Sequence, residues 1–199
     1  MGWAMPHFVS QRDEFSCGPV ALFNALRWSG HQATCREVLP RLMTYMKCEP
    51  PHGTRTCQVE RTLRRYSKYF SAHRLPNPSV QEIVKHLDAG GAALICFGFD
   101  DENNQRRGHY CLLVKTNEAG SMFEVVNYPP REGCPSRETV SRLKRKTLIN
   151  NLRRRACPCS IEESRCEKGC RGWPTVWLLE STTRNSAPIA RIFVFMRLD

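Results

Sequence analysis

A cysteine near the N-terminus of this chain has the surroundings of a nucleophile. Cys17 is followed by Gly18, Pro19 and an apolar run at helical spacing, which predicts a helix that begins at or beside Cys17 and stops at Gly30. The free N–H groups and the positive dipole end of a helix N-terminus favour a thiolate. Cys17 is therefore a candidate for attack on a carbonyl carbon, although a lone free cysteine is more often a buried core residue.

An oxyanion forms when a thiolate attacks a carbonyl, and it needs hydrogen-bond donors that are already in place. The backbone N–H of Cys17 can supply one. Gln11 lies six residues upstream, and its neutral side-chain amide can supply another without adding a charge beside the thiolate. Gly18 is expected to leave room beside the sulfur for the substrate carbonyl.

The base must come from another part of the fold, because a nucleophilic cysteine and its histidine are neighbours in space rather than in sequence. Of six histidines, His109 has the best scaffold, since it opens an apolar strand beside a polar loop. Asn127, at the end of the next strand, can accept from the ring N–H and fix the tautomer. It is equally well explained as a strand-end turn residue. Asp100 or Asp101 can take the orienting role if the loop folds back.

The elements that must position these residues change type along the chain. Helices are predicted first, over residues 17–30, 35–47, 56–69 and 79–89. Strands are predicted later, over residues 92–99, 109–114 and 122–128 and in the segments TVWLLE and ARIFVFMRL. Helices followed by strands indicate an α+β domain with an antiparallel sheet rather than alternating β-α-β units.

At these residues the sequence resembles the papain-like cysteine peptidases that process bacteriocin leaders (the double-glycine peptidases) and their free-standing relatives. The likeness lies in QRDEFSCGPVALFNAL, GHYCLLV and VVNYPP, and it spans roughly residues 6–130 and the closing strands. It implies a papain-like fold with the nucleophile at a helix start. It also implies that Gln11 is the oxyanion donor, Cys17 the nucleophile and His109 the base.

The third catalytic position departs from the pattern of that family. The family has an Asp directly before a Pro at the end of this strand, whereas here Tyr128 precedes Pro129 and Asn127 lies one residue earlier. A shift of one residue turns a strand side chain to the other face unless a bulge intervenes. Asn127 takes the third role only if the backbone changes direction there.

Composition predicts one globular domain that carries an insertion. The chain has 199 residues, of which 41% are hydrophobic, and this is enough for one core. We predict a catalytic core over residues 1–130, a basic and cysteine-rich insertion or subdomain over residues 131–173, and closing strands of the core sheet over residues 174–199.

The basicity of the chain is concentrated in the insertion. The formal charge is +11, and residues 131–155 hold nine Lys or Arg against two Glu, a local balance of +7. Residues 136–155 are predicted to form a basic helix that begins after Ser136. Such a helix suits an anionic partner (a nucleic acid, an acidic protein or a membrane surface), and the alternative is a solvated face.

The insertion also contains a cluster of four cysteines: Cys157, Cys159, Cys166 and Cys170. Four thiolates within such a short polar segment can hold a structural zinc ion, with Cys134 as a replacement ligand. The spacing is not the usual pair of Cys-x2-Cys knuckles, so free thiols or disulfides are the alternatives. No secretory signal is evident, which favours reduced thiols.

The sequence therefore predicts a cysteine peptidase that cleaves a peptide or isopeptide bond and needs no cofactor for catalysis. A second hypothesis is a catalytically inactive papain-like scaffold that serves as a structural or nucleic-acid-associated protein in a larger assembly. A third is nucleic-acid binding as the main role. The chain has no run of the roughly 18 apolar residues that a membrane span requires. The expected location is intracellular, or within a virus particle or nucleoprotein assembly.

Overall fold

An antiparallel sheet is the centre of the fold. The computed structural model describes residues 7–13, 15–32, 34–50, 53–100, 106–117, 119–127, 140–153 and 174–182. In these residues the strands are β1 (Phe70–Leu75), β2 (Ala92–Asp100), β3 (Arg106–Thr116), β4 (Met122–Val126), β5 (Val140–Lys144) and β6 (Thr175–Ser181). They form one six-stranded sheet in the order β1-β6-β2-β3-β4-β5, with antiparallel pairing between all neighbours.

Helices cover the sheet, and those in the described residues are α1 (Cys17–Trp28), α2 (Cys35–Tyr45), α3 (Thr56–Arg65), α4 (Val80–Asp88) and α5 (Arg145–Arg153). The first four begin where the sequence predicts. α1 is followed by Gly30, whose φ of 97° is a left-handed conformation that ends helices. Before α4, the side chain of Ser79 accepts from the backbone N–H of Glu82 at 3.2 Å. Helices packed on a single antiparallel sheet confirm the predicted α+β class.

The sheet is buried on both faces. On one face Leu112 packs in a cluster with Leu26 of α1 and Trp177 of β6. On the other, Leu113 packs in a cluster with Ile83 of α4 and with residues of α5. Successive strand residues point to opposite faces, so one strand, β3, supplies the core on both sides. Each such side chain contributes about 1.5–3 kcal/mol by leaving water.

β1 is a strand that the sequence does not reveal. Phe70 and Leu75 at its ends are buried, but Ser71, Ala72 and His73 between them are exposed, so no alternating pattern is present. The strand exists because its backbone pairs with β6, from Phe70 opposite Ser181 to Leu75 opposite Val176.

The basic helix predicted from Ser136 is shorter than expected. Val140–Lys144 is a strand instead, and Leu143 lies opposite Phe123 of β4. The helix α5 begins only at Arg145. Val140 and Leu143 can share a helix face, whereas in the strand they lie on opposite faces of the sheet and join different core clusters. Pairing with the edge of β4 selects the strand.

The described part of the insertion, residues 140–153, joins the same sheet through β5 and lies against α4 and β2 through α5. The division at residues 130 and 173 stays a prediction. The segment ARIFVFMRL lies outside the described residues. In the part of the chain that the structure describes, no helix has the length and apolarity needed to cross a bilayer.

Candidate active site

Cys17 is the first residue of α1. The side chain of Ser16 makes no capping hydrogen bond. Instead, the carboxylate of Asp13 accepts from the backbone N–H of Phe15 at 3.0 Å and of Ser16 at 2.6 Å. The thiol itself is only 5% exposed. Asp13 therefore fixes the turn that delivers Cys17 to the helix start.

Burial raises the pKa of the Cys17 thiol to about 11. Hydrogen bonds with the backbone of Tyr110 and Gly18 lower it, while Cys48 and Asp13 raise it further. The sequence predicts that the helix N-terminus favours a thiolate. The structure differs because the loss of water around the sulfur outweighs the N–H donors, so the resting thiol is protonated at neutral pH.

The contact between Cys17 and the backbone of Tyr110 places the candidate nucleophile at β3, one of the two central strands of the sheet. The ladder between β3 and β4 ends at the pair Leu112–Val126. Beyond that pair β4 no longer covers β3, so the backbone of Tyr110 can bond to the start of α1. The sulfur thus meets β3 one residue after His109.

His109 is a buried residue of β3, with 3% exposure. Its Nε2 lies 2.6 Å from the backbone oxygen of Asn127. A carbonyl oxygen only accepts, so Nε2 carries the hydrogen and Nδ1 of the neutral ring keeps the lone pair. The ring also packs on Phe97, with 6.0 Å between ring centroids. The predicted base therefore presents Nδ1 as its basic atom.

Burial lowers the pKa of His109 to about 4, and the hydrogen bond to the Asn127 backbone acts in the opposite direction. The imidazole is therefore neutral at pH 7, the form that can accept a proton. Cys17 and His109 at rest are a neutral thiol and a neutral imidazole rather than an ion pair.

Asn127 contacts both His109 and Gln11, but not in the predicted way. Its side-chain oxygen accepts from the backbone N–H of Gln11 at 2.9 Å, and its Nδ2 donates to Oε1 of Gln11 at 3.1 Å. The ring of His109 bonds to the backbone oxygen instead. The reason is a φ of 60° at Asn127, which turns the chain out of β4 and aims the carbonyl at the ring.

Gln11 is fixed at both ends of its amide. Oε1 accepts from Asn127, and Nε2 donates to the backbone oxygen of Asp13 at 2.8 Å. An amide nitrogen carries two N–H groups, and contacts within the described residues use one of them. The second is a candidate oxyanion donor.

The segment before Gln11 is anchored to α1 by Asn24, which is fully buried. The backbone N–H of Val9 donates to Oδ1 of Asn24 at 2.9 Å, and Nδ2 of Asn24 donates back to the oxygen of Val9 at 2.8 Å. This pair satisfies the backbone N–H and C=O of Val9, which lies outside the helices and strands.

Gly18 lets another segment pack against the start of α1, and the room for a substrate carbonyl that the sequence suggests stays a prediction. A Cβ at residue 18 would lie 2.8 Å from Cβ of Thr54, closer than real Cβ contacts come. The lack of a side chain therefore lets the segment at Thr54 lie against the start of α1.

The structure brings Gln11, Asn127 and His109 into one hydrogen-bonded chain, and it places Cys17 against the backbone of Tyr110, the residue after His109. Asp13 and Thr54 are neighbours of the site that sequence reasoning misses. Asp13 has a local signal, since an Asp side chain commonly accepts from a backbone N–H two residues on in a turn. Thr54 has none, because only the folded chain shows how close it lies to Gly18.

Several predicted ligands and alternatives cannot be placed. Asp101 and the four cysteines proposed for zinc lie outside the described residues, as does the side chain of Asp100. Among the residues that the structure describes, no three His, Cys, Asp or Glu side chains are grouped to hold a metal ion.

The described part of the basic segment carries exposed charges on β5 and α5. They are Arg142, Lys144, Lys146 and Arg153. The guanidinium of Arg145 is engaged, because Nη1 donates to the backbone oxygen of Gly120 at 3.2 Å. An anionic partner for this segment stays a prediction.

Comparison with known proteins supports the fold. No protein-family model and no curated protein matches the sequence. A solved structure of a Bacillus anthracis protein assigned as a C39-like peptidase is similar, with a TM-score of 0.54 and 11% identity over 87% of this chain and 94% of that chain. At this identity the likeness shows the fold alone. The fold of this chain is thus similar to that of a C39-like peptidase.

Proposed function

We propose that the chain is a cysteine peptidase that cleaves a peptide or isopeptide bond with Cys17 as nucleophile and His109 as base. One observation carries the proposal: the helix that begins at Cys17 meets β3 at the residue after His109. The similarity of the fold to a C39-like peptidase supports it.

The first step moves a proton while a bond forms. The thiol of Cys17 has a raised pKa and the imidazole of His109 a lowered one, so an ion pair at rest is unfavourable. Nδ1 of His109 therefore takes the proton as the sulfur attacks the carbonyl carbon, which is general-base catalysis. The second N–H of the Gln11 amide and the backbone N–H of Cys17 hold the oxyanion.

The second step regenerates the site. The imidazolium of His109 gives its proton to the leaving amine, and a thioester on Cys17 remains. Water then attacks this thioester, Nδ1 accepts a proton from the water, and the Cys17 sulfur leaves and recovers the proton. No metal or redox group takes part in these steps.

A specific observation favours a second candidate, an inactive scaffold. Cys17 and His109 are 5% and 3% exposed, and a substrate must reach both. A chain that keeps these residues only for packing would have the same burial. This candidate predicts that no peptide bond is cleaved.

Peptide cleavage separates the two candidates. The full chain is incubated with denatured casein and a tryptic peptide library, and the products are identified by mass spectrometry. We expect cleavage by the wild type and none by Cys17→Ala or His109→Gln. The matched control is Cys48→Ser, a nearby thiol whose sulfur donates to the backbone oxygen of Phe15, and this variant should keep the activity.

Two results would overturn the peptidase proposal. One is cleavage that persists in Cys17→Ala, which would mean another nucleophile or a contaminant. The other is a folded wild type that leaves every peptide intact, which is the behaviour of the scaffold.

A further inference from the structure

Asn127 joins the two sides of the candidate site. Its side chain forms two hydrogen bonds with Gln11: Oδ1 accepts from the backbone N–H of Gln11, and Nδ2 donates to Oε1 of Gln11. Its backbone oxygen accepts from Nε2 of His109 at 2.6 Å. Asn127 is 4% exposed, so water competes little for these bonds.

The backbone of Asn127 makes this double contact geometrically reachable. A φ of 60° lies in the left-handed region, which Asn adopts more readily than most non-glycine residues. The turn follows directly after Val126, the last residue of β4 paired with β3. Because β4 turns away there, the backbone of Tyr110 has no ladder partner on β4 and bonds to Cys17 instead. The same turn points the carbonyl of Asn127 back to His109.

The side-chain chemistry selects an amide at this position. The carbonyl end of the Asn127 amide meets an N–H of Gln11, and the NH2 end meets Oε1. An Asp at this position would place a carboxylate oxygen, instead of the NH2 group, next to Oε1 of Gln11. The two oxygens would repel each other, and the Gln11 amide would rotate so that its NH2 group faces the carboxylate. The Nε2 of Gln11 would then no longer point to the oxygen of Asp13, where it now donates.

We propose that Asn127 is a positioning residue with two separate parts. Its backbone oxygen holds His109 in the tautomer whose Nδ1 carries the lone pair, and its side chain holds Gln11 with an N–H directed to the oxyanion. This rests on the proposed peptidase function. The role differs from that of a residue whose side chain orients the histidine.

Substitution by glycine and by alanine separates the two parts. Asn127→Gly removes the amide but keeps the left-handed backbone, which glycine adopts freely. We expect kcat to fall about 10- to 100-fold through a displaced Gln11, with KM and the tautomer of His109 unchanged. Asn127→Ala also disfavours the left-handed backbone, so it should lower kcat further and lose the Nε2–H tautomer.

Nitrogen NMR of the full chain labelled at histidine and glutamine gives a readout that does not need activity. His109→Gln assigns the ring signals, and Gln11→Glu assigns the amide. In the wild type we expect a neutral His109 with its hydrogen on Nε2, and slowly exchanging amide hydrogens on Gln11. In Asn127→Gly only the Gln11 amide should exchange faster.

The matched control is Asn117→Gly at the other end of the same hairpin. The side-chain oxygen of Asn117 accepts from the backbone N–H of Ser121 and Met122, so the chemistry removed is similar. This variant should lose stability but keep kcat and the His109 tautomer.

The inference fails if Asn127→Gly keeps wild-type kcat, or if the wild-type His109 carries its hydrogen on Nδ1. It also fails if Asn117→Gly lowers kcat as much as Asn127→Gly does, because the effect is then one of stability. If no peptide is cleaved by the wild type but the NMR results hold, the peptidase proposal fails and the positioning by Asn127 stands.

Discussion

The chain segments at the starts of α1 and α4 are stabilised by different hydrogen bonds. At α4, Ser79 directly precedes the helix, and its side chain accepts from the backbone N–H of Glu82. At α1, Ser16 has the same place, but its side chain does not cap the helix. Asp13, further upstream, accepts from two backbone N–H groups instead.

The first turns of α4 and α1 also differ in burial and in their contacts with the rest of the fold. The first turn of α4 is exposed at Gln81 and Glu82, and its local hydrogen bonds stabilise only the helix. The first turn of α1 is buried, and its first residue is bonded to β3. The α1 start is therefore held by tertiary contacts as well as by the local hydrogen bonds of Asp13, and a thiol occupies its first position.

Thiol alkylation is the largest expected difference between the two starts. With the pKa of Cys17 raised to about 11, roughly one thiol in ten thousand is ionised at pH 7. A cysteine introduced at exposed α4 by Gln81→Cys should have a pKa below the usual 8.5 or so. We expect it to react with iodoacetamide at pH 7 at least about 100-fold faster than Cys17.

The pH dependence has a definite sign. Because burial raises the pKa of Cys17, its alkylation rate should rise about tenfold with each unit of pH from 7 to 9. The introduced thiol in Gln81→Cys should level off in this range. Peptide mapping by mass spectrometry follows both. If the alkylation rate of Cys17 levels off below pH 7, Cys17 and His109 form a thiolate–imidazolium pair. The expected difference in reactivity between the two helix starts would then be absent.

Alanine at the second helical position should be costly in α1 and harmless in α4. In Gly18→Ala the new Cβ lies 2.8 Å from Cβ of Thr54, and relief of this clash should cost about 1–3 kcal/mol of unfolding free energy. Gln81→Ala is exposed and should stay within about 0.5 kcal/mol. Urea unfolding measures both.

A double-mutant cycle identifies the cause. Thr54→Gly removes all three atoms that the new Cβ would meet, so it should recover most of the loss caused by Gly18→Ala. A coupling energy of about 1 kcal/mol or more is expected. Additive effects would mean that the glycine is required for another reason.

The smallest effects are those of the caps. Ser79→Ala should cost about 1 kcal/mol and leave peptide cleavage unchanged. Asp13→Ala should cost about 1–2 kcal/mol because two N–H groups lose their acceptor, and it should also slow cleavage by loosening the turn before Cys17. Thermal unfolding and the casein assay report the two quantities. Equal cleavage by both variants would make the two starts equivalent.

Local signals predict much of the fold and part of the site. The helix starts at Cys17 and Val80 follow from their flanking residues, and the strand that carries His109 follows from its apolar run. The prediction fails where distant pairing decides. β1 has no alternating pattern, and Val140–Lys144 is a strand because β4 offers its edge.

The candidate site also divides into features that local sequence predicts and features that distant contacts decide. Gln11, Cys17, His109 and Asn127 are found in the sequence by type and spacing. The hydrogen bonds that join Gln11 to Asn127 cross 116 residues, and the only local signal for the left-handed turn at Asn127 is the preference of Asn for turns. Burial, which is a property of the whole core, also reverses the expected ionisation of Cys17.

The pairing of Gln11 with Asn127 has a consequence for the newly made chain. Gln11 and Cys17 leave the ribosome before Asn127, which is 116 residues after Gln11 and follows after about 6–23 s of synthesis. Until β3 and β4 have formed, the backbone oxygen of Asn127 does not hold the ring of His109, and its side chain does not hold the amide of Gln11. The nascent chain therefore carries Cys17 with neither the burial that raises its pKa nor the hydrogen bonds that join Gln11, Asn127 and His109, and it acquires both only once β3 and β4 have formed.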